Sequence, residues 1–137
     1  MATTTVSKEM LEAHPGPAQI DRDVLARCID ECLACAQSCI ACADADLAEG
    51  DVADMRRCIR LCLDCADVCD ATRNLLTRQT EYVAETARAQ VSSCRELCAA
   101  CAEECGLHAD HHEHCRICGA ECRRCEEACS AVLDAIG

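Results

Sequence analysis

A chain of 137 residues is one domain by length. Its formal net charge of −12, with Lys8 as the single lysine, excludes the basic face that nucleic acid requires, and no run of eighteen apolar residues is present to span a membrane. The hydrophobic fraction of 51% is mostly small, 18 Cys and 24 Ala against no Trp, no Phe and one Tyr, so the core volume that large side chains usually supply must come from sulfur.

In chain order, residues 5–13 read as a short helix that "HPGP" at 14–17 ends, because proline neither continues a helix nor favours one in the residue before it. Residues 1–18 thus form an N-terminal segment set apart from a Cys-rich bundle at 19–137. This segment carries no apolar run, basic start or paired arginines, which points to the cytoplasm. There thiols stay reduced, and a high cysteine count points to metal rather than disulfides. Four longer helices are expected at about 20–47, 51–76, 80–105 and 110–135, with Gly50 and Gly106 at the breaks and Ala, Leu, Glu and Arg in the interiors.

Each of these helices carries one cysteine set. The first holds Cys28, Cys32, Cys35, Cys39 and Cys42; the second Cys58, Cys62, Cys65 and Cys69; the third Cys94, Cys98, Cys101 and Cys105; the fourth Cys115, Cys118, Cys122, Cys125 and Cys129. Every interval is three or four in alternation, the seam of packed helices. Four seams joined by short connections predict an all-α protein, an antiparallel four-helix bundle with a Cys-lined core and a short N-terminal helix.

Continued past their cysteines, the seams give the bundle two different ends. One collects Leu25, Leu76, Val91, Val132 and Ile136, an apolar plug. The other collects Asp46, Asp51, Met55, His108, His111 and His112, beside "HADHHEH" at 108–114. At this open end His108, His112 and His114 are the candidate metal ligands, with Asp54 and Met55 weaker. His111, four residues before Cys115, cannot be separated from them by spacing, and His14 beside "PGP" is read as structural.

Thiols three or four residues apart on one helix stand close enough to share one metal ion. A soft ion content with two or three thiolates is Cu(I), whereas zinc prefers closed sets of four, into which uninterrupted columns do not segment. Buried thiolates are prohibitive alone, but one Cu(I) per sulfur nearly cancels the charge, giving a capacity of about one Cu(I) per cysteine. Displaced protons leave as metal enters, so the apo bundle folds neutral and fills afterwards.

Disulfide scaffolds are usually short, secreted and loop-rich, iron–sulfur spacings usually lie on loops, and Ala or Val would fill a core without redox hazard. A metallothionein-like buffer of zinc or another heavy metal, and a thiol or cluster redox protein, stay as alternatives. No flavin, nicotinamide or catalytic-triad signature supports an enzyme.

The repeated CxxxCxxC pattern, with "CAACAEEC" at 98–105 and "HCRICGAECRRCEEAC" at 114–129, resembles the Cys-rich four-helix-bundle copper storage proteins, and does so over about 20–135. The resemblance implies Cu(I) storage for copper homeostasis and tolerance, a cytosolic branch without a twin-arginine signal, and a homotetramer. It also implies mouth ligands at His108, His112 and His114, with an acidic one carried over to Asp54. The copper would come from a chaperone or a small-molecule carrier. Independently, Ile29, Leu33, Ala36, Ile40 and Ala43, with Ile59 and Leu63, form a stripe too apolar for open solvent, to be covered either by the N-terminal helix or by another subunit.

Overall fold

The computed structural model describes residues 4–136. Helix α1 spans Val6–Ala13, α2 Arg22–Ala48, α3 Arg56–Thr77, α4 Ala84–His108 and α5 Glu113–Ile136, with a 3₁₀ turn at Val52–Met55 ahead of α3. Local chemistry sets the starts. The Thr5 hydroxyl accepts from the Lys8 amide at the head of α1, and the Asp21 carboxylate accepts from the amides of Asp23 and Val24 at the head of α2. Helices α2 to α5 form the expected antiparallel bundle. Each packs on two neighbours, and the α2/α5 and α3/α4 contacts close the ring.

Four boundaries differ from the sequence expectation, the first being α3, which starts at Arg56 rather than near 51 because the 3₁₀ turn precedes it. Helix α4 begins at Ala84 rather than near residue 80, because Glu81 takes a left-handed backbone conformation with φ 53° that interrupts the helical path. The same helix runs through Gly106 to His108, where the amides of His111 and His112 both donate to the His108 carbonyl and close the turn. Helix α5 then starts at Glu113, three residues later than expected. At Gly119 α5 approaches α4 closely: a Cβ there would stand 3.3 Å from that of Cys105.

The seams meet as their period requires. All 18 cysteines are buried, none of them more than 1% exposed. At one end Leu25, Leu76, Val91 and Val132 are buried to 1% exposure or less, with Ile136 packed against them. Thr72 joins this plug with its hydroxyl spent on the Val68 carbonyl at 2.7 Å and accepting from Gln90 at 3.0 Å.

Helix α1 lies over the first turns of α2, tied by Thr5 to Asp30 at 2.8 Å and by Lys8 to Asp23 at 2.9 Å; it brings Leu11, and the connection after it Ile20, onto the plug end. His14 is structural as expected: its Nδ1 accepts from the Gly16 amide and its Nε2 bonds to Thr80. Because α1 stays at that end, it does not cover the apolar stripe farther along α2. Ile29, Ala36 and Ala43 are buried, but Leu33, Ile40 and Leu63 remain 45%, 55% and 46% exposed.

Candidate metal centre

The tube is built from sulfur contacts that cross between helices. Cys35 Sγ lies 3.8 Å from Cys65 and 3.7 Å from Cys122, and 4.0 Å from Cys39 on its own helix. Farther towards the plug, Cys69 is 3.7 Å from Cys98, 3.8 Å from Cys94 and 4.0 Å from Cys125. Groups of four sulfurs within 4.8 Å of one another recur along the axis, among them Cys32/Cys69/Cys94/Cys125, Cys39/Cys101/Cys118/Cys122 and Cys42/Cys58/Cys62/Cys105.

These groups correct the expectation that the columns do not segment into sets of four. The sets are assembled across helices, which spacing along one helix does not show. Their separations also suit zinc, since a tetrahedral thiolate site with bonds of about 2.3 Å has edges of about 3.8 Å. What favours a monovalent ion is sharing. Cys35, Cys39, Cys69 and Cys122 each belong to more than one group, so a filled tube has bridging sulfurs. Four thiolates around each divalent ion would bury net negative charge, whereas one Cu(I) per thiolate buries almost none.

At the open end the chain brings histidines and carboxylates together. His114 Nδ1 lies 3.4 Å from Cys42 Sγ and 3.6 Å from Cys115 Sγ, and its Nε2 is 2.9 Å from Glu49 Oε2. His112, stacked on His114 with ring centroids 5.6 Å apart, bonds Glu49 Oε2 through Nδ1 at 2.5 Å and Asp51 Oδ2 through Nε2 at 3.1 Å. The Asp51 carboxylate raises the His112 pKa, and His112 in turn lowers that of Asp51. His108 stands slightly apart, its Nε2 2.9 Å from Glu104 Oε2, and Arg57 reaches the other oxygen of Glu104 at 3.4 Å.

Met55 is fully buried in the 3₁₀ turn. Asp54 lies exposed on that turn and His111 exposed on the α4/α5 connection, and neither bonds to the histidine–carboxylate network. The acids that do are Asp46, Glu49, Asp51 and Glu104. Asp46 and Asp51 lie on the extended seams. Glu104 had a sequence signal, standing four residues before His108 on the same helix. Glu49 had none, because it caps α2 beyond its last helical residue.

Asp46 is the most constrained of these acids. It is 0% exposed, Oδ1 accepts from the Cys115 thiol at 3.7 Å, and Oδ2 has no partner. Burial, reinforced by Cys58, pushes its pKa up to about 7. Burial also pushes the Cys115 thiol up, aided by the negative charge of Cys58 and Asp46. Burial thus holds the proton on the Cys115 thiol, and an ion bound there must displace it.

Fold and site together define a thiol-lined helical store for a soft metal. The sequence matches the copper storage protein family over residues 21–134, and the chain belongs to that family. The structure of the Streptomyces lividans copper storage protein Ccsp loaded with 10 copper equivalents is 50% identical, with a TM-score of 0.93 over 95% of this chain and 99% of that one. The structure of the cytosolic copper storage protein from Streptomyces lividans with five coppers is 55% identical, with a TM-score of 0.85 over 85% of this chain and 98% of that one. A histidine-to-alanine mutant of Streptomyces lividans Ccsp is 52% identical, with a TM-score of 0.86 over 88% and 100%. No protein of curated function matches the sequence closely.

Asp46 gives a pH test of the mouth. Its carboxyl keeps a proton to about pH 7 in the folded apo chain and to about pH 4 in the unfolded one. The unfolded state therefore binds fewer protons between those values, and the contribution of Asp46 to stability is lost as pH rises through that window. Asp46→Asn should unfold at the same urea concentration as the native apo chain below pH 4. At pH 8 it should be more stable, by an amount on the order of a few kcal/mol. A gain that does not change with pH contradicts this assignment.

Proposed function

We propose that this chain is a non-enzymatic cytosolic store of Cu(I), holding about one ion per cysteine in a preformed tube that fills from its histidine-bearing end. The observation that carries the reading is the sharing of sulfurs between neighbouring four-sulfur groups. Family membership supports the cargo, and the copper-loaded, cytosolic Streptomyces lividans relative supports the cargo and the compartment. In this reading all 18 cysteines are ligands, with His114, His112 and His108 at the entrance and Met55 beside it. Within the N-terminal segment 1–18, set apart from the bundle at 19–137, the described residues from 4 onwards serve as a cap on the plug end. A copper chaperone or a small-molecule carrier delivers the ion.

The same reading includes a homotetramer. Its support is the stripe of Leu33, Ile40 and Leu63, about half-exposed and left uncovered by α1.

Anaerobic titration of the reduced chain with Cu(I) against a competing chelator tests the capacity. Saturation near 18 ions per chain is expected, one for each cysteine. Saturation at four or fewer, or displacement of Cu(I) by zinc, would sink the storage reading. For the assembly, light scattering should give four times the chain mass, and Ile40→Glu with Leu63→Glu should reduce it to a monomer while copper capacity stays the same. A native chain that is already monomeric contradicts the tetramer.

A further inference from the structure

The mouth holds one acid, Glu49, that no signal in the sequence pointed to. Glu49 ends α2, where its own amide donates to the Asp46 carbonyl at 3.2 Å. Its Oε2 faces two imidazoles at once, His114 Nε2 at 2.9 Å and His112 Nδ1 at 2.5 Å. A carboxylate oxygen only accepts, so each of these ring nitrogens must carry the proton.

The consequence differs between the two rings. For His114 the competing acceptor is Asp46 Oδ1, 3.7 Å from Nδ1, beyond hydrogen-bond range for nitrogen and oxygen. The proton is therefore held at Nε2, and the Nδ1 lone pair is left facing Cys42 and Cys115. His112 has both nitrogens against carboxylates, Glu49 and Asp51, and offers no lone pair in this arrangement.

The triangle in front of His114 has the size of a three-coordinate site. Its edges are 3.4 and 3.6 Å from Nδ1 to the two sulfurs, and 3.8 Å between Cys42 and Cys115. A trigonal ion with bonds of about 2.3 Å to sulfur and 2.0 Å to nitrogen needs edges of about 3.7 and 4.0 Å, so closing on it takes shifts of only a few tenths of an ångström.

We propose that Glu49 is a positioning residue for copper entry: by taking the Nε2 proton of His114 it fixes the tautomer whose Nδ1 completes a site with Cys42 and Cys115. It acts through His114 and does not itself touch the ion, as outer partners of metal-bound histidines do. The inference rests on the Cu(I) reading of the tube, and its test is separable from that reading.

Long-range ¹H–¹⁵N correlation on the reduced, metal-free, full-length chain reads the His114 tautomer directly. The native chain should show the Nε2–H form. Glu49→Ala should give a mixture of tautomers and weaken binding of the first equivalent of Cu(I) by about 10-fold or more. Glu49→Gln, which keeps an accepting oxygen, should retain the Nε2–H form and most of the affinity. Glu103→Gln, on an exposed position of α4, serves as the control and should change neither readout.

A native His114 protonated at Nδ1 overturns the proposal. So does a Glu49→Ala chain with an unchanged tautomer, or one whose tautomer changes while its first-ion affinity does not. Total capacity should stay near one ion per cysteine in every variant; a low capacity in the native chain would count against storage and leave the tautomer result standing.

Discussion

Everything in this molecule follows from what it costs to bury an ionised thiol. A thiolate shut away from water is held at a high free energy unless a cation lies against it, and 18 of them along one axis would repel one another as well. The empty tube resolves this by staying protonated, and a filled tube resolves it by pairing each thiolate with one positive charge. Sulfurs already 3.7 to 4.0 Å apart across helices need little rearrangement between the two states. Packing the core with thiols therefore serves folding and storage with the same atoms.

The two ends of the bundle meet that constraint in opposite ways. At the plug, Leu25, Leu76, Val91 and Val132 continue the seams with apolar volume and shut out water, while α1 adds a second cover. At the mouth the same seam positions turn polar, and Asp46 sits fully buried with one unpartnered oxygen. A buried acid of this kind is destabilising in the apo chain, which suits a place where cations pass. The acids around the histidines also draw cations, which agrees with the strongly negative net charge.

The fold was readable because alternation of three and four has one structural meaning, and four such seams leave one way to arrange them. The plug was readable for the same reason. Periodicity stops at helix ends, however, and the mouth is made of helix ends. Glu49 lies one residue past α2, where no repeat constrains it. Asp54 is near the mouth in sequence, but the 3₁₀ turn carries it without bringing it into a bond with a histidine. Extending the seams reached Asp46 and Asp51, which stand beside His114 and His112 in the structure. The four-sulfur groups escaped a reading of single columns because each draws on more than one helix.

The central claim is that charge is balanced ion by ion. Native mass spectrometry under anaerobic conditions measures this, because the mass of each loaded species reveals how many protons left as copper entered. One proton lost for each Cu(I), from the first ion to saturation, is the result that a tube of paired charges predicts. Two protons lost per ion, as closed thiolate sites with excess negative charge would give, or none, as ions held by neutral thiols would give, would contradict it.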